Sequence, residues 1–291
     1  MPVPLLQRRL IFVTGKGGVG KSTVAEALAL RAARSGLRTV IADLNADGHA
    51  HELEHEANLF RISVDPQHAM EEYLSLKVGG AAGQLLGHSR LFSAFAMATP
   101  GMRELLSLGK IWELAQTDRR TPQASPYDLT IVDAPASGHG AALLRTPRTF
   151  AEIARVGPIA RQAAAIAQTL SDRDFTAIVG VAIPEELAVG ETLELHEALQ
   201  RERLELDAVI LNCCHPDRFE PPEVETLTAL DGGPYTSVRL ALGADQRARM
   251  EREQAARLER RFGERLQRLP YLFEPELDDA ALGRLAAELR L

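Results

Sequence analysis

The chain has 291 residues, 45% hydrophobic and 25% charged, with 40 acidic side chains against 33 Lys and Arg and a net charge of −7. That balance suits an ordinary globular protein with enough chain for a full core. The acidic excess argues against a general nucleic-acid binder, which needs a basic face. Cys213 and Cys214, the two thiols, are adjacent, which excludes a disulfide scaffold and fits a reducing compartment. No run approaches the ~18 apolar residues that span a bilayer, and Met1–Leu10 has no long apolar stretch, so a cytoplasmic protein with no direct membrane insertion is expected.

Leu10–Val13 is a short apolar run ending at a glycine-rich turn, the pattern of a buried strand. Ser22–Ser35 is rich in Ala and Leu at helical spacing, and Gly36 closes it. Thr39–Ala42 is a second apolar run, so the opening is a βαβ unit and the sheet is parallel there. Residues 71–116 read as mostly helical, broken at Gly79-Gly80 and Pro100-Gly101. Leu129–Val132 is a further strand, followed by a turn-rich stretch from Asp133 to Gly138. A helical region spans Phe150–Leu170, and strands at Ala177–Ile183 and Ala208–Leu211 bracket a helix near Glu191–Arg203. A charged helix over roughly Asp245–Leu266 and a short last helix near Asp279–Leu289 complete the chain. The predicted class is α/β: a mostly parallel central sheet flanked by helices, one domain over 1–291, with a small helical subdomain inserted at roughly 70–120.

Gly15, Gly20, Lys21 and Ser22 satisfy G-x-x-x-x-G-K-[ST], a phosphate-binding loop. Glycines let backbone N–H groups curl round phosphates without a Cβ clash, and the following helix adds its positive end. The expected nucleotide-binding residues are therefore Gly15, Gly17, Gly18, Val19, Gly20, Lys21, Ser22 and Thr23. Lys21 pairs with the β- and γ-phosphates, Ser22 is a Mg²⁺ ligand, and the ligand is ATP or ADP with Mg²⁺. The second metal-site carboxylate, acting through water, is Asp133 at the tip of its strand. Gly138 is placed to sense the γ-phosphate and move the loop as a switch. Lys16 is the second lysine of a deviant form of the motif.

The segment Asp133-Ala134-Pro135-Ala136-Ser137-Gly138-His139, followed by Leu143-Leu144 and Pro147, resembles the switch of the arsenite-pump and tail-anchored-protein-targeting ATPases. Pro100-Gly101 with Glu104, Asp65-Pro66 with Glu71-Glu72-Tyr73, Ile183-Pro184-Glu185-Glu186 and Glu191-Thr192 resemble other pieces of that family in the same order. The resemblance implies that Asn212, ending Val209–Leu211, recognises adenine, and that Pro270 lies in a late loop closing over the base. It also implies a dimer, with Lys16 reaching the partner's nucleotide, that couples hydrolysis to the hold on a protein client. The dimer is either of like chains or with a related ATPase.

The chain departs from that family in three places. The aspartate that orients the attacking water falls, without gaps, on Asn45, with Asp43 and Asp47 two residues to either side. An asparagine amide holds a water but cannot accept its proton. Hydrolysis is then slow, or Asp47 or Asp43 serves after a small register shift. Adjacent Cys213-Cys214 do not make the separated thiolate set of a metalloid site, and Met70, Met97 and Met102 are few for a client groove. The alternative to an ATP-driven switch is a weakly catalytic, ATP-binding regulatory subunit of a heterodimer. A positioning ATPase of the Min or Par type would need a membrane or DNA face that Ala280–Leu291 does not offer.

Overall fold

The computed structural model describes residues 4–44, 53–78, 98–121, 124–154, 156–230 and 236–290. Among them an eight-stranded sheet runs in the order β3-β4-β2-β5-β1-β6-β7-β8. Its strands are β1 (Leu10–Gly15), β2 (Thr39–Asp43), β3 (Leu53–Glu56), β4 (Leu59–Ser63), β5 (Leu129–Ala136), β6 (Thr176–Ala182), β7 (Ala208–Cys214) and β8 (Leu266–Pro270). Every neighbouring pair is parallel except β3–β4 at the edge.

Parallel strands covered on both faces read as continuous apolar runs, and β1 and β6 are buried at every residue. Successive side chains of β1 alternate between the two faces. Leu10 and Phe12 join the core under α3 (Met102–Leu114), α4 (Ser137–Ala154), α5 (Pro158–Ser171), α6 (Glu186–Arg201) and α8 (Thr236–Phe262). Ile11 and Val13 join the opposite core under α1 (Lys21–Arg34) and α9 (Asp279–Glu288). Helices α2 (Pro66–Val78) and α7 (Pro221–Ala229) are the remaining α-helices among the described residues. In α1 the alanines at 25, 27, 29, 32 and 33 are all buried, letting the helix backbone lie close to the sheet.

Several sequence expectations are corrected. The segment read as turn-rich continues β5 through Ala136, and α4 begins directly at Ser137. Parallel pairing to β1, in register from Leu10↔Thr130 to Val13↔Asp133 and resumed one residue out of step at Gly15↔Ala136, holds the Asp-Ala-Pro-Ala stretch extended. Pro135 is tolerated because it falls at the shift in that register between Val13 and Gly15. Strands β3 and β4 had no reading, because Leu53–Glu56 is polar and pairs only at the sheet edge. The charged helix starts at Thr236, earlier than expected, and ends at Phe262, so Leu266 begins a strand instead.

Candidate nucleotide site

The sheet order reverses at β1: the chain goes leftwards to β2 and later rightwards to β6. The carboxyl ends of strands at such a point form a crevice where α/β proteins bind ligands. Into it run the loop 15–20, Asp43 of β2 and Asp133 of β5. Asp43 and Asp133 are direct lateral partners in the β2–β5 register.

The loop takes its shape from tight contacts. A Cβ on Gly15 would overlap the backbone oxygen of Val181 on β6, so no larger residue fits. Gly18 and Gly20 have φ of +82° and +86°, values that L side chains adopt at a cost of roughly 1–2 kcal/mol. Gly20 is the N-cap of α1; a Cβ there would overlap the Asn212 amide nitrogen. Asn212, only 4% exposed at the end of β7, donates from Nδ2 to the Val19 carbonyl at 3.0 Å. The residue expected at the base thus braces the loop from below. Pro270 pairs with Cys214 where β8 ends beside β7.

At the start of α1, Lys21 donates from Nζ to the Lys16 carbonyl at 3.1 Å. Burial lowers its pKa, partly opposed by Asp133. Ser22 donates from Oγ to Asp133 Oδ2 at 2.5 Å. Asp133 is 4% exposed, and burial raises its pKa; Asp43 and Glu26 push the same way, Ser22 and Lys21 the other. Lys16 turns to α6 and pairs with Glu191 at 3.1 Å. Gly138 is the second residue of α4. Asn45 and Asp47 lie outside the described residues, as does most of the connection within the expected 70–120 subdomain, of which α2 and the α3 region are seen.

Sequence reasoning missed Thr14 and Gly140. A Cβ on Gly140, inside α4, would overlap Thr14 Oγ1, a buried hydroxyl without a hydrogen-bond partner among the described residues. Helix α4 therefore rests directly on the strand that feeds the loop. No helix was read over residue 140, so the sequence carried no signal for this contact.

These residues fit a magnesium triphosphate. The first turn of α1 has neither a side-chain cap nor an acidic residue, so its N–H groups and positive end are left for an anion. The Ser22 hydroxyl and Asp133 carboxylate, side by side, are oxygen groups of the kind that suit a Mg²⁺ shell. Among the described residues there is no cluster of three His, Cys, Asp or Glu for a transition metal and no helix long and apolar enough to cross a membrane.

A parallel sheet with this loop opening α1 and a buried aspartate on the neighbouring strand, hydrogen-bonded to Ser22, defines a P-loop nucleotide-binding protein. The profile of the anion-transporting ATPase family matches residues 8–162 and 151–229, and the chain belongs to that family. It is 31% identical over 237 residues to the ATPase BagA of Mycobacterium tuberculosis, covering 74% of this chain and 68% of that protein. A putative arsenical pump-driving ATPase of Halobacterium salinarum is 25% identical, covering 75% of this chain and 37% of its own length. ATPase GET3B of Arabidopsis thaliana is 23% identical, covering 71% and 64%.

Proposed function

We propose that the chain binds and hydrolyses ATP with Mg²⁺, and that it works as a dimer whose nucleotide state sets its hold on a protein client. The observation that supports the nucleotide reading best is the Ser22–Asp133 hydrogen bond at 2.5 Å beside Lys21, under an uncapped helix start. Loop amides from Gly15 to Thr23 hold the phosphates, Lys21 pairs with their terminal charge, and Ser22 and Asp133 hold the metal. Bound Mg²⁺ would supply charge neutralisation on the β- and γ-oxygens. Asp133 keeps its position through the buried β5 register, and Asn212 keeps the loop through Val19.

Asn45, Asp47 or Asp43 orients the attacking water in this reading. Asp43 has the direct lateral relation to Asp133. If Asn45 is the residue, turnover is slow and the regulatory-subunit reading gains. Asn45→Asp raising single-turnover hydrolysis by more than about tenfold, near 1.4 kcal/mol of barrier, is the result that favours it.

Gly138, through α4 and its seat on Thr14, links the terminal phosphate to the rest of the molecule. One face open to a client is an apolar cavity of about 140 Å³ between α2, α3 and α5, lined by Met70, Leu74, Met102, Leu105, Leu106 and Ile159 among others. Exposed Ile153 and Val156 stand nearby in sequence, at the turn from α4 to α5. Residues 70–120 would then act as a small helical subdomain of a single ATPase domain. We expect neither nucleic acid nor a membrane as a partner, and a cytoplasmic setting.

Isothermal titration calorimetry tests the nucleotide site. Wild type is expected to bind Mg-ATP, Lys21→Ala to lose it, and Asp133→Asn to bind ATP with much weaker Mg²⁺ dependence and little turnover. Absence of any heat with wild type would overturn the reading.

A further inference from the structure

Helix α8 reaches the far side of the nucleotide crevice through a chain of contacts that begins at Glu251. One carboxylate oxygen, Oε2, accepts from the His215 backbone N–H at 2.9 Å, and the other, Oε1, lies 2.7 Å from His215 Nδ1. The imidazole is held at two points and stacks on Tyr271, ring centroids 4.5 Å apart and planes within 14°. Tyr271 in turn donates its N–H to the Cys214 carbonyl at 2.8 Å and meets Phe273 at 4.9 Å. Arg218 covers the Phe273 ring at 4.7 Å.

The position of this group matters. His215 follows Asn212 by three residues and comes directly after β7, and Cys213 between them sits at φ +59°, at the irregularity in the β7–β8 register between Leu211 and Cys214. Tyr271 follows Pro270, the last residue of β8. The stack thus stands just beyond the Asn212–Val19 brace, where a nucleotide anchored by its phosphates in loop 15–22 would present its base. A purely structural aromatic cluster would be covered, yet Tyr271 is 40% and Phe273 57% exposed. Exposed aromatic faces at such a place suit stacking on a base.

We infer that Glu251 and His215 are positioning residues for the base half of the nucleotide. By fixing the His215–Tyr271 stack, α8 sets the pose of the segment after β8. The inference rests on the proposed nucleotide site. It extends it by giving the base half its own supports, Glu251 of α8 and His215 after β7.

The test compares Mg-ATP with Mg-tripolyphosphate, which keeps the phosphates and lacks the base. Wild type binds ATP more tightly than tripolyphosphate. Glu251→Ala and Tyr271→Ala weaken ATP about tenfold and leave tripolyphosphate unchanged, whereas Tyr271→Phe restores ATP affinity. Thermal melts by circular dichroism check that each variant is folded. Equal loss for both ligands means a merely structural role and overturns the inference, as does an unchanged ATP affinity in Glu251→Ala. If wild type binds both ligands equally, the base subsite is refuted while the phosphate site stands. If it binds neither, the nucleotide reading and this extension fall together.

Discussion

At Gly20 the loop meets two demands at once: a positive φ and a backbone close to Asn212. Gly36 has a similar φ of +91° but nothing within 4 Å of where a Cβ would stand. Gly36→Ala therefore measures backbone strain alone, about 1 kcal/mol. Gly20→Ala should cost clearly more in chemical denaturation and lower ATP affinity at least tenfold, because Asn212 must give way. Equal destabilisation by the two alanines would show that the Asn212 contact is soft. Gly140→Ala tests the other close approach, α4 on Thr14. It should slow turnover more than it weakens binding, if α4 moves on the Thr14 seat. The G-x-x-x-x-G-K-S pattern made the first constraint readable, because it specifies both glycine and lysine at fixed spacing. The second was hidden, since it depends on which helix face lands on β1.

Among the elements, α6 and α8 share a contact that bears on pH. His196 of α6 is 1% exposed, its ring edge-on to Phe262 of α8 at 5.1 Å, and neither ring nitrogen has a hydrogen-bond partner among the described residues. Burial lowers its pKa; Arg261 and Arg265 lower it further, and Glu205 and Glu197 oppose them. A histidine depressed in the fold is neutral there, while the unfolded chain takes up a proton below its ordinary value near 6.5. The unfolded state then binds more protons, so this group's contribution to stability is lost as pH falls below about 6.5. His196→Leu keeps apolar volume and removes both the titration and the unsatisfied nitrogens. Its melting temperature should exceed wild type's by more at pH 5.5 than at pH 8, measured by differential scanning calorimetry. A gap that stays constant across that range would rule the titration out. Sequence showed α8 as a charged amphipathic helix but started it at Asp245. Before Asp245 a single residue of the helix, Val238, is buried, so the first turns carry too weak an apolar stripe to be read from the sequence.

For the whole molecule, the proposed dimer turns on Lys16. Its pair with Glu191, partly open to solvent, is the kind of ion pair worth ~1 kcal/mol or less, so exchanging it for a partner's phosphate is a small step. Lys16→Ala alone should lose turnover by tenfold or more while still binding ATP, and mixing it with a Lys21→Ala chain should restore part of the activity. Undiminished turnover in Lys16→Ala by itself would reject catalysis across the interface. Sedimentation with and without Mg-ATP reports the assembly directly.

What the sequence determined by itself is the local chemistry: the loop from Gly15 to Ser22, the apolar runs that become parallel strands, the helix that follows, and the ordered motifs that resemble one ATPase family. Spacing suffices there because a phosphate loop and a buried strand are each set by residues close in the chain. Tertiary structure alone decided that Asp133 stands beside Asp43 and under Ser22, that Asn212 braces Val19 from 193 residues away, and that Glu251 grips His215. Those contacts depend on strand order and helix placement, which emerge when the two faces of the sheet are buried together and no short window of sequence encodes them.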